Sequence, residues 1–222
     1  MDQKVTLSAD PYAGLAADNY DHHHRSTLRN RLTSTREIAG LRQALDVLEP
    51  SFSALDLPCG AGRFWPAFQE AGASSLIAGD VSEGMLRVAQ ANRLTDTLPV
   101  RLEAMTAFAI DLPDDAVDFI ACMRFLHHLS VAEDRQQVLA ELHRVSRKYV
   151  AISLWVDGNL GSWRRSRKER VQPKAGFGRR ICRSREEIET EFQEAGFVIV
   201  DYFDVWPKLS MWRLYLLRCD ND

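Results

Sequence analysis

The 222-residue chain has few cysteines and no long run of uncharged residues. Its cysteines, Cys59, Cys122, Cys182 and Cys219, are scattered without a CxxC pair, which argues against a disulfide framework. No uncharged stretch runs much past nine residues, whereas a membrane-spanning helix needs about 18 or more. The first four residues lack the apolar core of a signal peptide. We therefore expect a cytoplasmic protein with reduced thiols and without a transmembrane segment.

Internal repeats and Gly/Ser linkers are also missing, so one folded unit is expected. From about residue 53 onward, short apolar runs alternate with segments of helical period, which predicts βα units around a parallel sheet. The last two strands are joined by a turn too short for a crossover helix, so they must pair antiparallel. The expected fold is α/β: a seven-stranded, mostly parallel Rossmann-like sheet with a C-terminal antiparallel hairpin and helices on both faces. The predicted strands are 53–57, 75–80, 100–103, 117–122, 149–156, 197–204 and 212–219.

The segments between these strands show helix signals. Helices are predicted at 62–71 and 133–146, after a cap at Ser82, and from a capping box at Ser184 to a stop at Gly196. Ahead of the sheet, 35–48 also has a helical period. We expect residues 1–50 to form a helical extension that packs on the sheet edge or folds over its carboxyl end as a lid. Residues 51–222 would then form the main domain, with a basic insertion at 157–183.

A buried strand runs into a glycine-bearing turn and then a helix over residues 54–64. Gly60 and Gly62 allow close backbone approach to a ligand, and a helix N-terminus offers unpaired N–H groups. Asp80 ends the next strand, where an acid can accept both ribose hydroxyls of an adenosine. This arrangement predicts a nucleotide-like ligand at the carboxyl end of the sheet.

Several alternative sites lack a residue that they need. A dinucleotide fingerprint would have its third glycine at position 65, where this chain has Trp65, so NAD and FAD are disfavoured. The Gly-Lys-Ser/Thr end of a Walker loop is absent, which disfavours an ATP-hydrolysing site. Adjacent histidines at 22–24 do not share one face of a helix or strand, and no acid or cysteine cluster supports them, so no metal is assigned. The ligand class that remains after these exclusions is an adenosine without a phosphate.

These residues resemble a known family. Asp56-x-Pro58-x-Gly60-x-Gly62 is similar to motif I of class I S-adenosylmethionine-dependent methyltransferases, and Asp80 to the acid that ends their second strand. Residues 112–118 resemble the loop into their fourth strand. Residues 122–129 resemble the segment after that strand in the quinone-methylating and related branches, and the similarity covers about 53 to 219. Small bacterial methyltransferases of surface polysaccharides, including lipopolysaccharide, are a further analogy.

The resemblance implies S-adenosylmethionine as the cofactor and S-adenosylhomocysteine as the product. It implies that Asp56, Gly60 and Gly62 line the methionine moiety and that Asp80 holds the ribose. An acid that the family often places near the adenine is absent here. The other cofactor contacts that it implies are Pro58, Cys59, Val81, Met85, Met105, Thr106 and Met123, with Tyr20 as a lid aromatic and Arg36 as a carboxylate-binding arginine.

Positive charge is concentrated in one segment. Residues 163–185 hold ten Lys/Arg and one acid, a charge of +9, which leaves 18 bases and 30 acids, or -12, in the rest of a chain whose net charge is -3. The segment follows strand five and starts at the carboxyl edge of the sheet, where open α/β folds bind ligands. Arginine forks bind phosphate bidentately. The predicted anion-binding residues are Arg164, Arg165, Arg167, Arg179, Arg180 and Arg183.

Three partners fit such a segment: a phosphorylated or lipid-linked glycan at the inner membrane face, RNA, or a nucleotide second messenger such as a cyclic dinucleotide acting as an effector. RNA is less favoured because the chain is acidic outside this segment. A small phosphorylated acceptor or lipid-linked glycan is therefore the first choice. An acceptor of this kind implies a cytoplasmic enzyme, with peripheral association with the glycan machinery of the inner membrane as one option.

The catalytic requirement depends on the acceptor. A phosphate or carboxylate oxygen can attack the methyl group unaided, whereas a hydroxyl needs a base such as His128 or Asp21, and Arg124 is placed to orient the acceptor. His127 and His128 also fit a purely structural role at a helix entry. The rival hypothesis is a methyltransferase-fold regulatory protein that binds a cofactor, nucleotide or RNA without methyl transfer.

Overall fold

The computed structural model of the chain describes residues 27–92, 98–171 and 181–220, and it has the predicted seven-stranded sheet. The strand order is β3-β2-β1-β4-β5-β7-β6. The first five strands pair in parallel, and β7 lies antiparallel between β5 and β6. The fold prediction is confirmed. The strands are β1 (Ser53–Asp56), β2 (Ser75–Asp80), β3 (Val100–Ala104), β4 (Val117–Met123), β5 (Ser146–Trp155), β6 (Phe197–Asp204) and β7 (Trp212–Cys219).

Helices occupy the connections, and capping side chains explain several of their N-termini. Ser82 accepts the N–H of Met85, and Ser184 accepts the N–H of Glu187, as the capping signals predict. The helices are α1 (Leu28–Leu45), α2 (Trp65–Glu70), α3 (Glu83–Ala91), α4 (Ala132–Val145), α5 (Leu160–Val171) and α6 (Arg185–Glu194), with a short 3₁₀ helix at Leu126–His128.

Two helices differ from the sequence prediction at their N-termini. Helix α1 begins seven residues earlier than expected, because Thr27 caps it by accepting the N–H of Asn30 at 3.1 Å. Helix α2 begins at Trp65 rather than at residue 62, because Gly62 has a φ of 74° and therefore cannot be part of a right-handed helix.

Helices cover both faces of the sheet, because successive buried side chains along each strand point to opposite faces. Leu55 and Ile120 belong to one apolar cluster, with α4 and α6, whereas Ala54 and Phe119 belong to the other, with α1 and α2. Helix α1 is part of this second cluster through buried leucines such as Leu41. In the described part of the chain, no helix has the length and apolar character needed to cross a membrane.

Candidate cofactor and acceptor site

The turn after β1 is shaped by two glycines in left-handed conformations. Gly60 has a φ of 52° and Gly62 a φ of 74°, and the indole of Trp65 lies directly over Gly62. A Cβ added at Gly62 would be 2.9 Å from that ring. Trp65 therefore fills the space that a dinucleotide fingerprint leaves open with its third glycine.

Asp56 lies fully buried at the carboxyl end of β1. Its Oδ2 accepts the Nε1–H of Trp65 at 3.1 Å, whereas its buried Oδ1 has no hydrogen-bond partner among the described residues. Burial raises the pKa of this carboxyl to about 8; the charge of Asp80 adds to the rise, and the Trp65 hydrogen bond and Arg63 oppose it. A cationic ligand group next to Asp56 would stabilise its ionised form, so this residue fits the methionine end of S-adenosylmethionine.

Asp80 joins the end of β2 to the glycine turn. Its Oδ2 accepts the N–H of Gly60 at 2.9 Å, and its Oδ1 accepts the N–H of Ser82 at the same distance. Each carboxylate oxygen has further lone pairs, which fits bidentate binding of ribose hydroxyls. The structure therefore brings together the two acids and the turn that the sequence singled out.

The other predicted cofactor residues lie around this turn with different exposures. Val81 is 49% exposed beside Asp80, which suits contact with an adenosine. Met85 instead packs with Ala61 and Val88 in a small apolar cluster, so in this structure it supports the turn from within. Cys59, Met105 and Met123 are buried, each at most 5% exposed, whereas Pro58 is partly exposed. Thr106 Oγ1 accepts the N–H of Phe108 at 3.3 Å.

Arg36 does not reach the glycine turn in this structure. Its Nε donates to the carbonyl of Val205 at 2.8 Å, and its guanidinium lies 5.3 Å and 5.2 Å from the ring centroids of Phe203 and Trp206. The reason is the rotation of α1, which turns this face of the helix toward β6 and the β6–β7 turn. Tyr20, Asp21 and the histidines at 22–24 lie outside the described residues.

Glu37, the next residue along α1, is a buried acid near the turn after β1 that the sequence motifs did not indicate. Its side chain is 1% exposed, and its carboxylate accepts two hydrogen bonds of 2.7 Å from Nε and Nη2 of Arg124. Arg63, which follows Gly62, lies 3.0 Å from the same carboxylate. The sequence feature that could have indicated its burial is its spacing: Glu37 lies four residues before the buried Leu41, on the apolar stripe of α1.

Arg124 follows β4 in a left-handed backbone conformation, with a φ of 58°. Its N–H donates to Ser153 Oγ at 2.9 Å, and its guanidinium lies 4.7 Å from the ring centroid of Trp212. The bidentate contact with Glu37 holds this guanidinium near the turn after β1, because Arg63 of that turn contacts the same carboxylate. Its predicted contact with the acceptor stays a prediction.

The two histidines after β4 have different environments. His127 is buried between Trp155, whose ring it stacks on at 5.1 Å, and Trp212, at 4.9 Å. His128, the predicted base, is exposed, with its ring 4.1 Å from that of His127. His127 therefore packs as an aromatic residue, and His128 is the one that solvent and an acceptor can reach.

The first described part of the basic segment, residues 163–171, belongs to helix α5. Arg164 and Arg167 are exposed on it, and Arg165 lies 4.8 Å from the ring centroid of Trp155. Arg183 differs from the prediction: its Nη1 donates to Glu187 at 2.8 Å and its Nη2 to the carbonyl of Ser130 at 2.6 Å, because residue 183 pairs with the end of β5. It stabilises the fold here. Arg179 and Arg180 lie outside the described residues.

A cavity of about 1250 Å³ opens between the end of β5, helix α5 and the β6–β7 turn. Its described lining contains four cations and two acids, a net charge of +2, which favours an anionic ligand. The exposed rings of Trp163 and Tyr202 also line it. Among the residues that the structure describes, no cluster of His, Cys, Asp and Glu could hold a metal ion. The charged residues of the lining are Arg165, Arg185, Lys208, Arg213, Asp157 and Asp204.

Solved methyltransferase structures are similar to the whole described fold. Magnesium protoporphyrin IX methyltransferase from Synechocystis PCC 6803, with bound S-adenosylhomocysteine, superposes with a TM-score of 0.72 at 17% identity over 91% of this chain and 94% of that chain. An S-adenosylmethionine-dependent methyltransferase from Clostridium acetobutylicum has a TM-score of 0.65 at 15% identity over 91% and 97% of the two chains. One from Methanosarcina mazei has 0.63 at 16% identity over 78% and 94%.

The family comparison agrees with these structures. Residues 54–149 match the methyltransferase domain family, and this range contains both acids and both glycines of the turn. No curated protein is detectably similar in sequence. The matches support S-adenosylmethionine as the cofactor. The chain therefore has the fold of the class I S-adenosylmethionine-dependent methyltransferases, and its residues 54–149 match their methyltransferase domain.

Proposed function

We propose that the protein transfers a methyl group from S-adenosylmethionine to an anionic acceptor, either a phosphorylated small molecule or a lipid-linked glycan. The observation that carries the cofactor assignment is the Asp80 carboxylate, whose two oxygens each accept a backbone N–H, from Gly60 and from Ser82, at 2.9 Å. These two bonds hold the carboxylate beside the turn after β1, where its remaining lone pairs are suited to accept from ribose hydroxyls. The buried Oδ1 of Asp56 is the matching acceptor at the methionine end.

The residues of the chain mainly have to bind and orient the reactants. When bound, S-adenosylmethionine supplies an activated methyl group and is converted to S-adenosylhomocysteine. Asp80 would hold the ribose, Val81 would cover the adenosine, and Asp56 would face the cationic end of the methionine. Little acid–base machinery is then required, because placement of the nucleophile in line with the methyl group provides most of the rate.

The acceptor that we propose carries a phosphate or another strong anion. Its binding site is the cavity at the end of β5, because the described lining has a net charge of +2 and the exposed guanidiniums of Arg164 and Arg167 lie on the adjoining helix. Trp163 and Tyr202 offer ring faces for a sugar or another flat group. A phosphorylated small molecule or a lipid-linked glycan combines these features, the latter with the protein at the inner membrane face.

The chemistry of the acceptor decides whether a base is needed. A phosphate or carboxylate oxygen can attack without proton removal, whereas a hydroxyl requires a base within hydrogen-bond reach. His128 is the exposed imidazole after β4 and is the candidate for that role. We expect His128→Gln to lower turnover strongly on a hydroxyl acceptor and to have little effect on a phosphate acceptor.

Calorimetry with purified protein tests the cofactor first. We expect S-adenosylmethionine and S-adenosylhomocysteine to bind, NAD and ATP not to bind, and Asp80→Ala to abolish binding. Formation of S-adenosylhomocysteine in cell extract, before and after phosphatase treatment, then tests the acceptor. Turnover that survives phosphatase would exclude a phosphate monoester as the acceptor. Binding without Asp80-dependent turnover in any extract would favour a regulatory protein instead, a role that the comparisons do not support.

A further inference from the structure

Helix α5 has an exposed face that combines apolar and cationic side chains. The spacing i, i+3, i+4, i+7 and i+8 places on this one face Leu160, Trp163, Arg164, Arg167 and Lys168. Leu160 is 36% exposed and Trp163 54%, and the three cations are exposed as well. The face therefore has an apolar first turn, which a cationic part follows.

The β6–β7 turn adds a third exposed apolar side chain beside this face. Leu209 is 61% exposed, and its N–H closes the turn by donating to the carbonyl of Trp206 at 3.0 Å. The N–H of Leu160 donates to the carbonyl of Lys208 at 2.9 Å, which joins the start of α5 to the turn. Single exposed apolar residues are common, but here two elements hold them together beside the cavity that Leu160 and Lys208 line.

The positive charge of this region remains when the neighbouring acids are counted. Residues 157–171 and 204–213 together contain seven cations and three acids, a net charge of +4. Asp204 accepts two hydrogen bonds from Arg213, so this pair cancels within the count. The region therefore attracts anions at neutral pH. The three acids are Asp157, Glu169 and Asp204.

We propose that residues 160–168 of α5 and residues 206–209 of the turn form a docking surface for a lipid bilayer with anionic headgroups. The leucines enter the boundary of the acyl chains, the indole of Trp163 lies at the level of the headgroups, and the cations bind lipid phosphates. The docking surface is independent of the cofactor. It rests on the proposed function in one respect, because it favours the lipid-linked form of the acceptor, whose cavity lies beside this surface.

Two other occupants fit the docking surface less well. A second copy of the chain would bring two regions of charge +4 together, and like charges across an interface repel. Single-stranded RNA would match the cations and stack on Trp163, but it has no use for the aliphatic side chains of Leu160 and Leu209. An anionic bilayer accommodates both the cationic and the aliphatic members.

Flotation of the full chain with lipid vesicles tests the docking surface. We expect binding to phosphatidylcholine vesicles with about 30% phosphatidylglycerol, and binding at least about 10-fold weaker to phosphatidylcholine alone. Leu209→Ser should weaken binding to the anionic vesicles about 10-fold, because an apolar anchor is lost. The double variant Arg164→Gln and Arg167→Gln should weaken it about 30-fold, since each cation near an anionic surface contributes about 5-fold.

Matched control variants are available at the opposite end of the sheet. Val198 pairs with Arg218, and Arg218 with Tyr149 near the start of β5, whereas α5 follows the end of β5. Val198→Ser removes an exposed apolar side chain there, and the double variant Lys148→Gln and Arg218→Gln removes two exposed cations. Both controls should bind the anionic vesicles within about 2-fold of the wild-type protein.

Three results would overturn the docking surface. These are no flotation with anionic vesicles, equal losses in the docking and control variants, and a loss in the double arginine variant with none in Leu209→Ser. The last result would indicate a purely electrostatic surface, and fluorescence anisotropy with oligouridylate would show whether it binds RNA. Calorimetry with S-adenosylhomocysteine tests the cofactor separately: a protein that floats with vesicles but does not bind this ligand would overturn the proposed cofactor and leave the docking surface in place.

Discussion

The Nε1–H of Trp65 donates to Oδ2 of Asp56 at 3.1 Å, and the same indole covers Gly62. The residue that replaces the third glycine of a dinucleotide fingerprint thus has two functions in this turn. It holds the buried acid, and it fills the space in which that fingerprint would bring a helix close to a pyrophosphate. A single side chain therefore both supports Asp56 and occupies the space that a dinucleotide fingerprint keeps open.

Trp65→Phe tests the first of these functions. The ring still covers Gly62, but Asp56 Oδ2 loses its donor within a dry environment. We expect the free energy of unfolding to fall by about 1–3 kcal/mol, the usual cost of leaving a buried polar group unsatisfied. Chemical denaturation at pH 7 measures this. Trp163→Phe, at an exposed position, is the control and should change stability by less than about 0.5 kcal/mol.

The raised pKa of Asp56 predicts how stability depends on pH without the cofactor. The carboxyl binds its proton more tightly in the folded state, with a pKa of about 8, than in the unfolded state, where its value is near 4. The folded state therefore binds more protons between these values, and its stability falls as the pH rises through this window. The whole effect amounts to roughly 5 kcal/mol.

Asp56→Asn isolates this contribution. The amide keeps an acceptor for Trp65 and cannot ionise, so the melting temperature of the variant should decline less between pH 5 and 9 than that of the wild-type protein. The same variant should bind S-adenosylmethionine more weakly, because it lacks the negative charge near the cationic end. Parallel pH dependences in the two proteins would show that Asp56 does not titrate in this window.

Gly60→Ala and Gly62→Ala separate backbone strain from crowding. Both residues have positive φ. A Cβ at Gly60 would meet no heavy atom within 4 Å among the described residues beyond its chain neighbours, whereas one at Gly62 would lie 2.9 Å from the Trp65 ring. The first variant should lose about 1–2 kcal/mol from the left-handed conformation alone. The second should lose clearly more, and differential scanning calorimetry would show this as a lower melting temperature. Equal losses would mean that the indole moves aside at little cost.

The sheet and the position of Asp56 beside Asp80 were predictable from the sequence because they follow from strand order. Acids at the carboxyl ends of neighbouring parallel strands must meet at the same edge. Capping residues also predicted two helix starts, at Ser82 and Ser184, because capping is a local interaction.

The ion pairs of the site were not predictable in the same way. Glu37 and Arg124 are 87 positions apart, and no local pattern specifies their contact. Arg36 and Glu37 are adjacent, yet one contacts Val205 and the other Arg124, because successive residues of a helix point about 100° apart. The role of either residue depends on how α1 is rotated against the sheet, and this is set by packing over the whole helix.

Among the ion pairs that the structure describes, the buried pair between Arg135 on α4 and Glu191 on α6 should be one of the most costly to break by removal of its cation. Arg135 is 1% exposed; it donates from Nε to Glu191 at 2.9 Å and from Nη1 to three carbonyls of the preceding loop. Arg135→Met would leave Glu191 buried without its partner, so we expect a loss of about 3–5 kcal/mol by urea denaturation. Arg42→Met breaks an exposed pair with Glu70 and should cost at most about 1 kcal/mol. Similar losses in the two variants would contradict the view that burial decides the energetic weight of an ion pair in this fold.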